Sequence, residues 1–299
     1  MIESRSDKLF RFLSHAIMII LSLAAILPMI LLLTSSFTDN DTLILNGYTF
    51  FPKEWSLDNY KYILDNGEKI FRAYGVSIAL TVCGTLIGTS MTMMMGYALS
   101  RPELPGRKFF MVAIIITMLF NGGLVPSYLV YTNTLHVKNT FLGLLLPSLL
   151  MSGFNVMLVK SYFTTSVPNE ILEAAELDGA TEFQKFTHVA LPMGIPIIAT
   201  IALFTAMGYW NDWNNGYVYI STNTDLYSIQ NLLNRMQQNM QFLIQNSTNI
   251  ASANSEINAL PTEGIRMAIS VLGILPVLIV YPWMQKYFIK GINVGGIKG

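Results

Sequence analysis

The sequence predicts an all-α, polytopic membrane protein with six transmembrane helices. Hydrophobic residues make up 52% of the 299 residues and charged residues only 12%, whereas soluble domains carry about 25% charged residues. The mean hydropathy of +0.46 agrees with this composition. Long apolar segments recur along the chain, and they are expected to be helices because open strands leave backbone groups unpaired in lipid. The strands of membrane barrels are shorter and alternate in polarity.

Six segments are long enough to cross a bilayer, which requires about 20 apolar residues. They are residues 12–34, 73–99, 109–130, 141–162, 191–210 and 267–283. The first follows Lys8 and Arg11, as the apolar part of a signal peptide would, but it is longer and lacks a convincing cleavage site. We therefore expect a retained helix and a single transmembrane domain over residues 1–299, with one loop at 166–190 and another at 221–263.

Lysine and arginine predict the orientation, because they are enriched in the loops on the cytoplasmic side. They concentrate in the N-terminal segment, the second loop, the fourth loop with its margin, and the tail. These residues are Arg5, Lys8, Arg11, Arg101, Arg107, Lys108, Lys160, Lys185, Lys286, Lys290 and Lys298. In the alternate loops the basic residues are diluted by longer sequence and by acids. Both termini and the 166–190 loop are therefore expected in the cytoplasm, and the 221–263 loop outside it.

The residue pattern gives no indication of a catalytic or metal site. Cys83 is the only cysteine and lies in an apolar segment, where a small buried side chain is expected. His15, His136 and His188 are far apart and belong to different segments. A net charge of zero gives no sign of a nucleic-acid partner. The phosphate-binding pattern G-x-x-x-x-G-K-S/T is absent from the sequence. We therefore expect neither enzymatic activity nor a cofactor bound by this chain.

The 166–190 loop is polar and helix-forming, although it lies between two apolar segments. Ser166 as a cap and Pro168 in the first turn are typical of a helix start, and Gly179 of a helix end. Residues 181–184 (TEFQ) have the pattern of a capping box that opens a second short helix. A hairpin lying on the membrane surface would need a basic face. The first helix is acidic, which favours docking into a protein cleft.

The string EAAELDG at residues 173–179, followed by Leu191-Pro192, resembles the coupling signature of permease subunits in binding-protein-dependent ABC importers. Residues 121–128 and 281–299 are similar to the smaller, maltose-type permease of oligosaccharide systems, in the branch named after polysaccharide and lipoprotein uptake. The resemblance covers nearly the whole chain and implies the type I ABC importer permease fold with a cytoplasmic coupling helix. It assigns contact with the ATPase to Glu173, Ala174, Ala175, Asp178, Gly179, Leu191 and Pro192.

The same resemblance implies the partners of the chain. A second, different permease would complete the path for an oligosaccharide, and an extracytoplasmic solute-binding protein would deliver the sugar. Two cytoplasmic ATPase subunits would bind the coupling loops together with ATP and Mg. The chain would be a multi-pass transport subunit of the bacterial cell membrane and not an enzyme. The alternative is a stand-alone secondary transporter or channel, which normally carries intramembrane charges or inverted repeats. Neither is evident in the sequence.

Candidate substrate contacts lie at the outer end of the fifth segment and within two earlier segments. Aromatic faces, amides and a carboxylate, which together suit a sugar, occur at Tyr209, Trp210, Asn211, Asp212 and Trp213. An aromatic belt at the membrane interface has a similar composition and remains the alternative. Asn121 and Asn155 are polar groups in apolar surroundings, so we expect them to face the bundle interior or a water-filled path. The 221–263 loop either enters the cleft of the binding protein or caps it.

Overall fold

The computed structural model describes residues 5–65, 67–246 and 263–295, and its regular elements within these ranges are helices. In chain order they are α1 (Arg5–Ser36), α2 (Asn40–Asn46), α3 (Asp58–Asp65), α4 (Glu68–Ser100), α5 (Arg107–Leu119), α6 (Leu124–Leu129), α7 (Phe141–Leu145), α8 (Gly153–Ser166), α9 (Asn169–Leu177), α10 (Glu182–Gln184), α11 (Leu191–Met193), α12 (Ile195–Trp210), α13 (Asn214–Tyr219), α14 (Ile229–Asn246) and α15 (Glu263–Gly295). Two π-helical stretches follow α6 and α10, at Val130–Thr134 and Lys185–Ala190, and a 3₁₀ turn precedes α14, at Thr224–Leu226. The all-α prediction is confirmed.

Three described helical segments are long and apolar enough to cross a membrane by themselves: Lys8–Ser36, Glu68–Ser100 and Glu263–Val280. Two more qualify only as bent pairs. The chain bends by 117° between Arg107–Leu119 and Leu124–Thr134. It bends by 84° between Glu182–Met193 and Ile195–Trp210. The first bend coincides with a glycine pair whose second member, Gly123, has a φ of 85°, and the second bend lies at Gly194.

The fourth expected span, residues 141–162, is not one continuous helix. α7 ends at Leu145 and α8 begins at Gly153. Pro147 lies in the interruption and has no backbone N–H, and Ser148 adopts a positive φ of 63°. The count of six spans therefore stays a prediction. The part of the expected outer loop at 247–262 and the tail residues 296–299 lie outside the described residues.

The described residues group into two compact units. One contains the chain up to Glu68 and the stretch Arg235–Leu275, and the other contains Lys69–Asn234 and the chain from Pro276 onward. In the first unit, the buried amide of Asn59 donates to the carbonyl oxygens of Ser36 at 3.2 Å and Thr38 at 3.1 Å. These bonds fasten α3 to the end of α1.

The second unit has a core that joins the 166–190 loop to the long helices. Its buried members are Met93, Tyr97, Val159, Phe163, Val167, Leu172, Phe186, Ala190, Ile197 and Ile201. They come from α4, α8, α9, the π-helical stretch after α10, and α12, except Val167, which lies between α8 and α9. The loop is therefore packed into the same hydrophobic core as the helices expected to span the membrane.

Candidate functional site

The EAA-like string forms a helix that ends as the sequence predicts. Gly179 follows α9 with a φ of 83°. The N–H of Gly179 donates to the carbonyl of Glu176 at 2.9 Å, and the N–H of Ala180 donates to that of Ala175 at 2.9 Å. These two bonds make a Schellman motif, in which a left-handed residue lets the chain pair the last carbonyls of a helix. The prediction of a left-handed Gly179 is confirmed.

The start of α9 differs from the prediction, whereas the start of α10 matches it. Ser166 is the last residue of α8 and caps nothing, and Pro168 occupies the N-cap position of α9. The residue before a proline is disfavoured in the helical region, so the chain turns at Val167, which is extended. The capping box of α10 is confirmed: the Thr181 hydroxyl accepts from the Gln184 N–H at 3.3 Å, and Gln184 Oε1 accepts from the Thr181 N–H at 2.8 Å.

The inner face of α9 is held by an aromatic cluster. Leu172 is buried in the core that contains Tyr97, Phe163 and Phe186. The ring of Tyr97 lies 5.8 Å from that of Phe163, in an edge-to-face arrangement, and 5.1 Å from that of Phe186. Pairs of this geometry stabilise packing beyond the area that they bury. The cluster therefore fixes α9 against α4 and α8.

A buried lysine connects the two helices of the loop. The Lys185 side chain is 7% exposed, and its Nζ lies 3.0 Å from Glu176 Oε2 of α9. Lys185 also forms an ion pair with Glu182 Oε1 of α10. The other oxygen of Glu182 accepts a hydrogen bond from the Tyr97 hydroxyl at 3.3 Å. The hydrogen bond to Glu182 is the main reason that the pKa of Lys185 is raised, so the ammonium group stays protonated at neutral pH.

The outer face of α9 is exposed, and its surface combines acidic and apolar side chains. Leu177 is 90% exposed, and Phe183 of α10 is 67% exposed. Large apolar side chains in such positions mark docking surfaces when they are grouped. We call this group the coupling surface, and it consists of Glu173, Ala174, Leu177, Asp178 and Phe183.

The remaining residues of the predicted coupling set lie beside this surface or beyond it. Ala175 is half-buried, and Gly179 is exposed at the turn. Leu191 packs against the aromatic core, and Pro192 is exposed in the first turn of α11. The structure therefore places Glu173, Ala174 and Asp178 on the coupling surface, whereas Leu191 and Pro192 belong to the junction with α12.

A groove of about 360 Å³ adjoins the coupling surface. The side chains that line it include Tyr97, Arg101, Glu103, Leu104, Phe183 and Phe186. The guanidinium of Arg101 lies 5.5 Å from the centre of the Tyr97 ring, within the range of a cation–π contact. The basic loop between α4 and α5, which contains Arg101, is therefore adjacent to the 166–190 loop, whose first helix is acidic.

The predicted substrate residues at the end of α12 do not form one exposed cluster. Tyr209 and Trp210 are buried, and the Tyr209 hydroxyl donates to the carbonyl of Leu145 at 2.8 Å. Asn211 is exposed, and its amide donates to Met207 O at 3.0 Å. Trp213 is exposed, with its ring 6.2 Å from that of Tyr217.

Asp212 and Asn121 have local partners in the backbone. Asp212 Oδ1 accepts from the N–H groups of Asn214 at 3.2 Å and Asn215 at 3.3 Å. Burial raises the pKa of the Asp212 carboxyl, and these backbone bonds offset part of the effect. Asn121 is exposed at the bend between α5 and α6, where its Oδ1 accepts from Gly123 N at 2.9 Å. Asn155 is half-buried in α8. Substrate contact by the predicted set stays a prediction.

Asn215, which was not predicted from the sequence, supports the break in the fourth segment. The buried amide of Asn215 donates to the carbonyl oxygens of Leu144 at 3.3 Å and Pro147 at 2.9 Å. Together with Tyr209, which pairs the carbonyl of Leu145, it satisfies groups that the interrupted helix leaves open. Unpaired backbone groups are costly in an apolar environment, so such a break needs side-chain partners. No sequence signal links Asn215 to residues about 70 positions earlier.

Comparison with known proteins gives consistent matches. The family described as "Binding-protein-dependent transport system inner membrane component" matches residues 108–294. Protein LplC of Bacillus subtilis (strain 168) is 36% identical over 275 residues, which are 92% of this chain and 90% of that protein. The polygalacturonan/rhamnogalacturonan transport system permease protein YtcP of the same organism is 32% identical over 293 residues, 98% of this chain and 99% of that protein.

A solved structure has the same fold. A chain in the crystal structure of a bacterial ABC transporter involved in the import of the acidic polysaccharide alginate superimposes with a TM-score of 0.79. It is 28% identical in sequence, and the match covers 96% of this chain and 99% of that chain.

Proposed function

Because this chain belongs to the family of binding-protein-dependent transport system inner membrane components, we propose that it forms half of the oligosaccharide path in an ATP-driven importer. The chain is a membrane-embedded transport component and not itself an enzyme. The observation that carries the proposal is the coupling surface. It lies on a short helix whose inner face packs against the end of α4, a helix long enough to cross the membrane. Through Glu176, Lys185 and Glu182 the same helix is also linked to the Tyr97 hydroxyl of α4.

The coupling surface is assigned to an ATPase subunit. Leu177 and Phe183 supply apolar anchors, and Glu173 and Asp178 supply charges around them. A few exposed apolar anchors with a charged rim are the usual composition of an interface that binds tightly. ATP and Mg are held by that partner. Members of this family act together with a second permease, ATPase subunits and a binding protein, and we propose a heterodimer with a different permease and two ATPase subunits here.

The transported molecule is proposed to be an oligosaccharide delivered from outside. YtcP is named for polygalacturonan and rhamnogalacturonan, and the transporter of the matching structure imports alginate. Both termini and the coupling surface lie in the cytoplasm in this proposal, in line with the distribution of basic residues in the sequence.

Reconstitution tests the proposal. The chain is co-expressed with its partner permease and ATPase, purified as a complex and placed in lipid vesicles. The binding protein is first screened by calorimetry against galacturonan, alginate, chitin and maltodextrin oligosaccharides. We expect uptake of the best-bound oligosaccharide only when both ATP and the binding protein are supplied. Uptake by this chain alone, driven by an ion gradient without ATP, would instead support a secondary transporter.

A further inference from the structure

The Lys185 network links three helices through atoms of four side chains. Glu176 belongs to α9, Glu182 to α10 and Tyr97 to α4. Lys185 pairs with both glutamates, and Glu182 also accepts the hydrogen bond from Tyr97 through its second oxygen. The network therefore runs from the helix that carries the coupling surface to a helix that is long enough to cross the membrane.

The network differs in kind from the apolar contacts that surround it. Leu172, Phe186 and Tyr97 hold α9 by hydrophobic packing, which is non-directional and allows a helix to rotate or slide. An ammonium group that holds two carboxylates on different helices fixes their separation and orientation, because hydrogen bonds weaken steeply as their geometry is distorted.

The burial of Lys185 is unusual for a residue that only contributes to stability. Both glutamates remain mostly exposed, at 69% and 66%, whereas the lysine is 7% exposed. A buried lysine is expensive to desolvate, and replacing a buried ion pair by well-packed apolar groups is often neutral or stabilising. An apolar side chain at this position would therefore serve packing at least as well.

We propose that Lys185 is a positioning residue for energy coupling, which transmits displacement of α9 through Glu182 and Tyr97 to α4. The inference rests on the proposed function, since α9 must bear on an ATPase for its displacement to matter. The apolar core keeps the loop folded, and the Lys185 network makes α9 and the end of α4 move as one body.

The test uses the complete importer in lipid vesicles, with the oligosaccharide that the binding protein binds best in the panel described above. Lys185→Met replaces the lysine by an unbranched, neutral side chain of similar length and so removes both ion pairs. We expect the complex to assemble and to unfold at an unchanged temperature. The ATP hydrolysed per oligosaccharide imported should rise by about 2- to 30-fold, the range expected when a residue between two sites changes their coupling.

Further variants separate the links of the network. Glu176→Met removes the acceptor on α9 and leaves Lys185 paired with Glu182. Tyr97→Phe removes only the hydrogen bond to Glu182 and keeps the ring. Each should raise the ratio less than Lys185→Met does. Glu176→Met combined with Lys185→Met should add little to Lys185→Met alone, because both act on the same link. Lys61→Met is the control, since it removes a lysine ion pair at the same i,i+3 spacing, with Asp58, that is exposed and lies outside the network. It should leave the ratio unchanged.

The outcomes distinguish this inference from the proposed function. Suppose that the wild-type complex imports oligosaccharide with ATP and that the Lys185→Met complex assembles. If both then hydrolyse the same amount of ATP per oligosaccharide imported, the inference is overturned and the proposed function is not. If Lys185→Met prevents assembly, Glu176→Met decides, and an unchanged ratio in that variant overturns the inference. A wild-type complex that hydrolyses ATP but imports no oligosaccharide contradicts the proposed function, and the inference with it.

Discussion

The ring of Tyr209 on α12 occupies the space that a β-carbon on Gly84 of α4 would need. One turn further along α4, a β-carbon on Gly88 would lie 2.7 Å from the carbonyl oxygen of Leu150. Two glycines four residues apart allow close helix approach in membranes, where small residues at interfaces provide much of the packing. α4 can therefore lie directly against the broken fourth segment, whose Leu145 carbonyl is paired by Tyr209.

Gly84→Ala should destabilise the protein by about 1–3 kcal/mol, because α4 must shift or Tyr209 must move away from Leu145 and leave a carbonyl unpaired. The measurement is thermal unfolding of the purified complex in detergent. Gly75→Ala on the same helix is the control, since its β-carbon would meet no described atom within 4 Å. Equal stability of the two variants would contradict this account of the α4 interface.

The sequence predicted this structure where local rules decide the outcome. The apolar segments are helical, although the fourth is interrupted between Leu145 and Gly153, Gly179 ends α9, and residues 181–184 form a capping box. Each depends on residues within a few positions of one another. The start of α9 was predicted less well, because Ser166 and Pro168 were assigned to one helix, whereas the extended Val167 leaves Ser166 in α8.

The tertiary partners could not be read from the sequence. Tyr97 and Glu182 are 85 positions apart, and nothing in their local sequence indicates that their side chains bond. The same holds for Asn215 and the carbonyls of the broken segment. Tyr209 is a candidate substrate contact from composition, and nothing in its local sequence indicates that its ring is buried and that its hydroxyl bonds the Leu145 carbonyl. Only the Glu182–Lys185 pair left a local signal, since residues three apart are neighbours on a helix.

Gly179→Val should abolish oligosaccharide uptake, because a β-branched side chain in the left-handed region costs about 1–2 kcal/mol and should loosen the end of α9. A β-carbon at this position meets no atom of the described chain within 4 Å, so any steric clash would come from the docked ATPase. Gly179→Asn separates the two effects, since asparagine tolerates this conformation.

For the Gly179 variants, uptake and the amount of ATPase that co-purifies are measured together. We expect the asparagine variant to keep more uptake than the valine variant. Equal loss in both would assign the effect to close approach by the ATPase. Normal uptake in a well-expressed valine variant would contradict a coupling role for this turn.

Leu177→Asn should weaken ATPase binding by about 30-fold, the loss that corresponds to about 2 kcal/mol at an apolar anchor. The subunit itself should remain as stable as the wild type, because the Leu177 side chain is 90% exposed. Binding of purified ATPase to the permease pair in nanodiscs gives the affinity. Leu45→Asn is the control, because the Leu45 side chain on α2 is 82% exposed and lies outside the coupling surface. The Leu45→Asn permease should bind the ATPase with wild-type affinity. Unchanged affinity in Leu177→Asn would remove this residue from the coupling surface.

Labelling of single cysteines should show that residue 53, in the loop after the first expected span, and residue 170, in α9, lie on opposite sides of the membrane. Cys83 is first replaced by serine, and then Lys53 or Glu170, both exposed, is replaced by cysteine. We expect the cysteine at 53 to react with a membrane-impermeant maleimide in intact cells, because the loop after the first span should lie outside. The cysteine at 170 should react only after the membrane is permeabilised, because its loop has Lys160 at its margin and Lys185 within it, as expected for a cytoplasmic loop. The Cys83-free parent shows the background, and labelling of the denatured protein shows that both variants are expressed. The reverse pattern would place the coupling surface outside the cell, where no ATPase could reach it, and would contradict both the orientation and the proposed function.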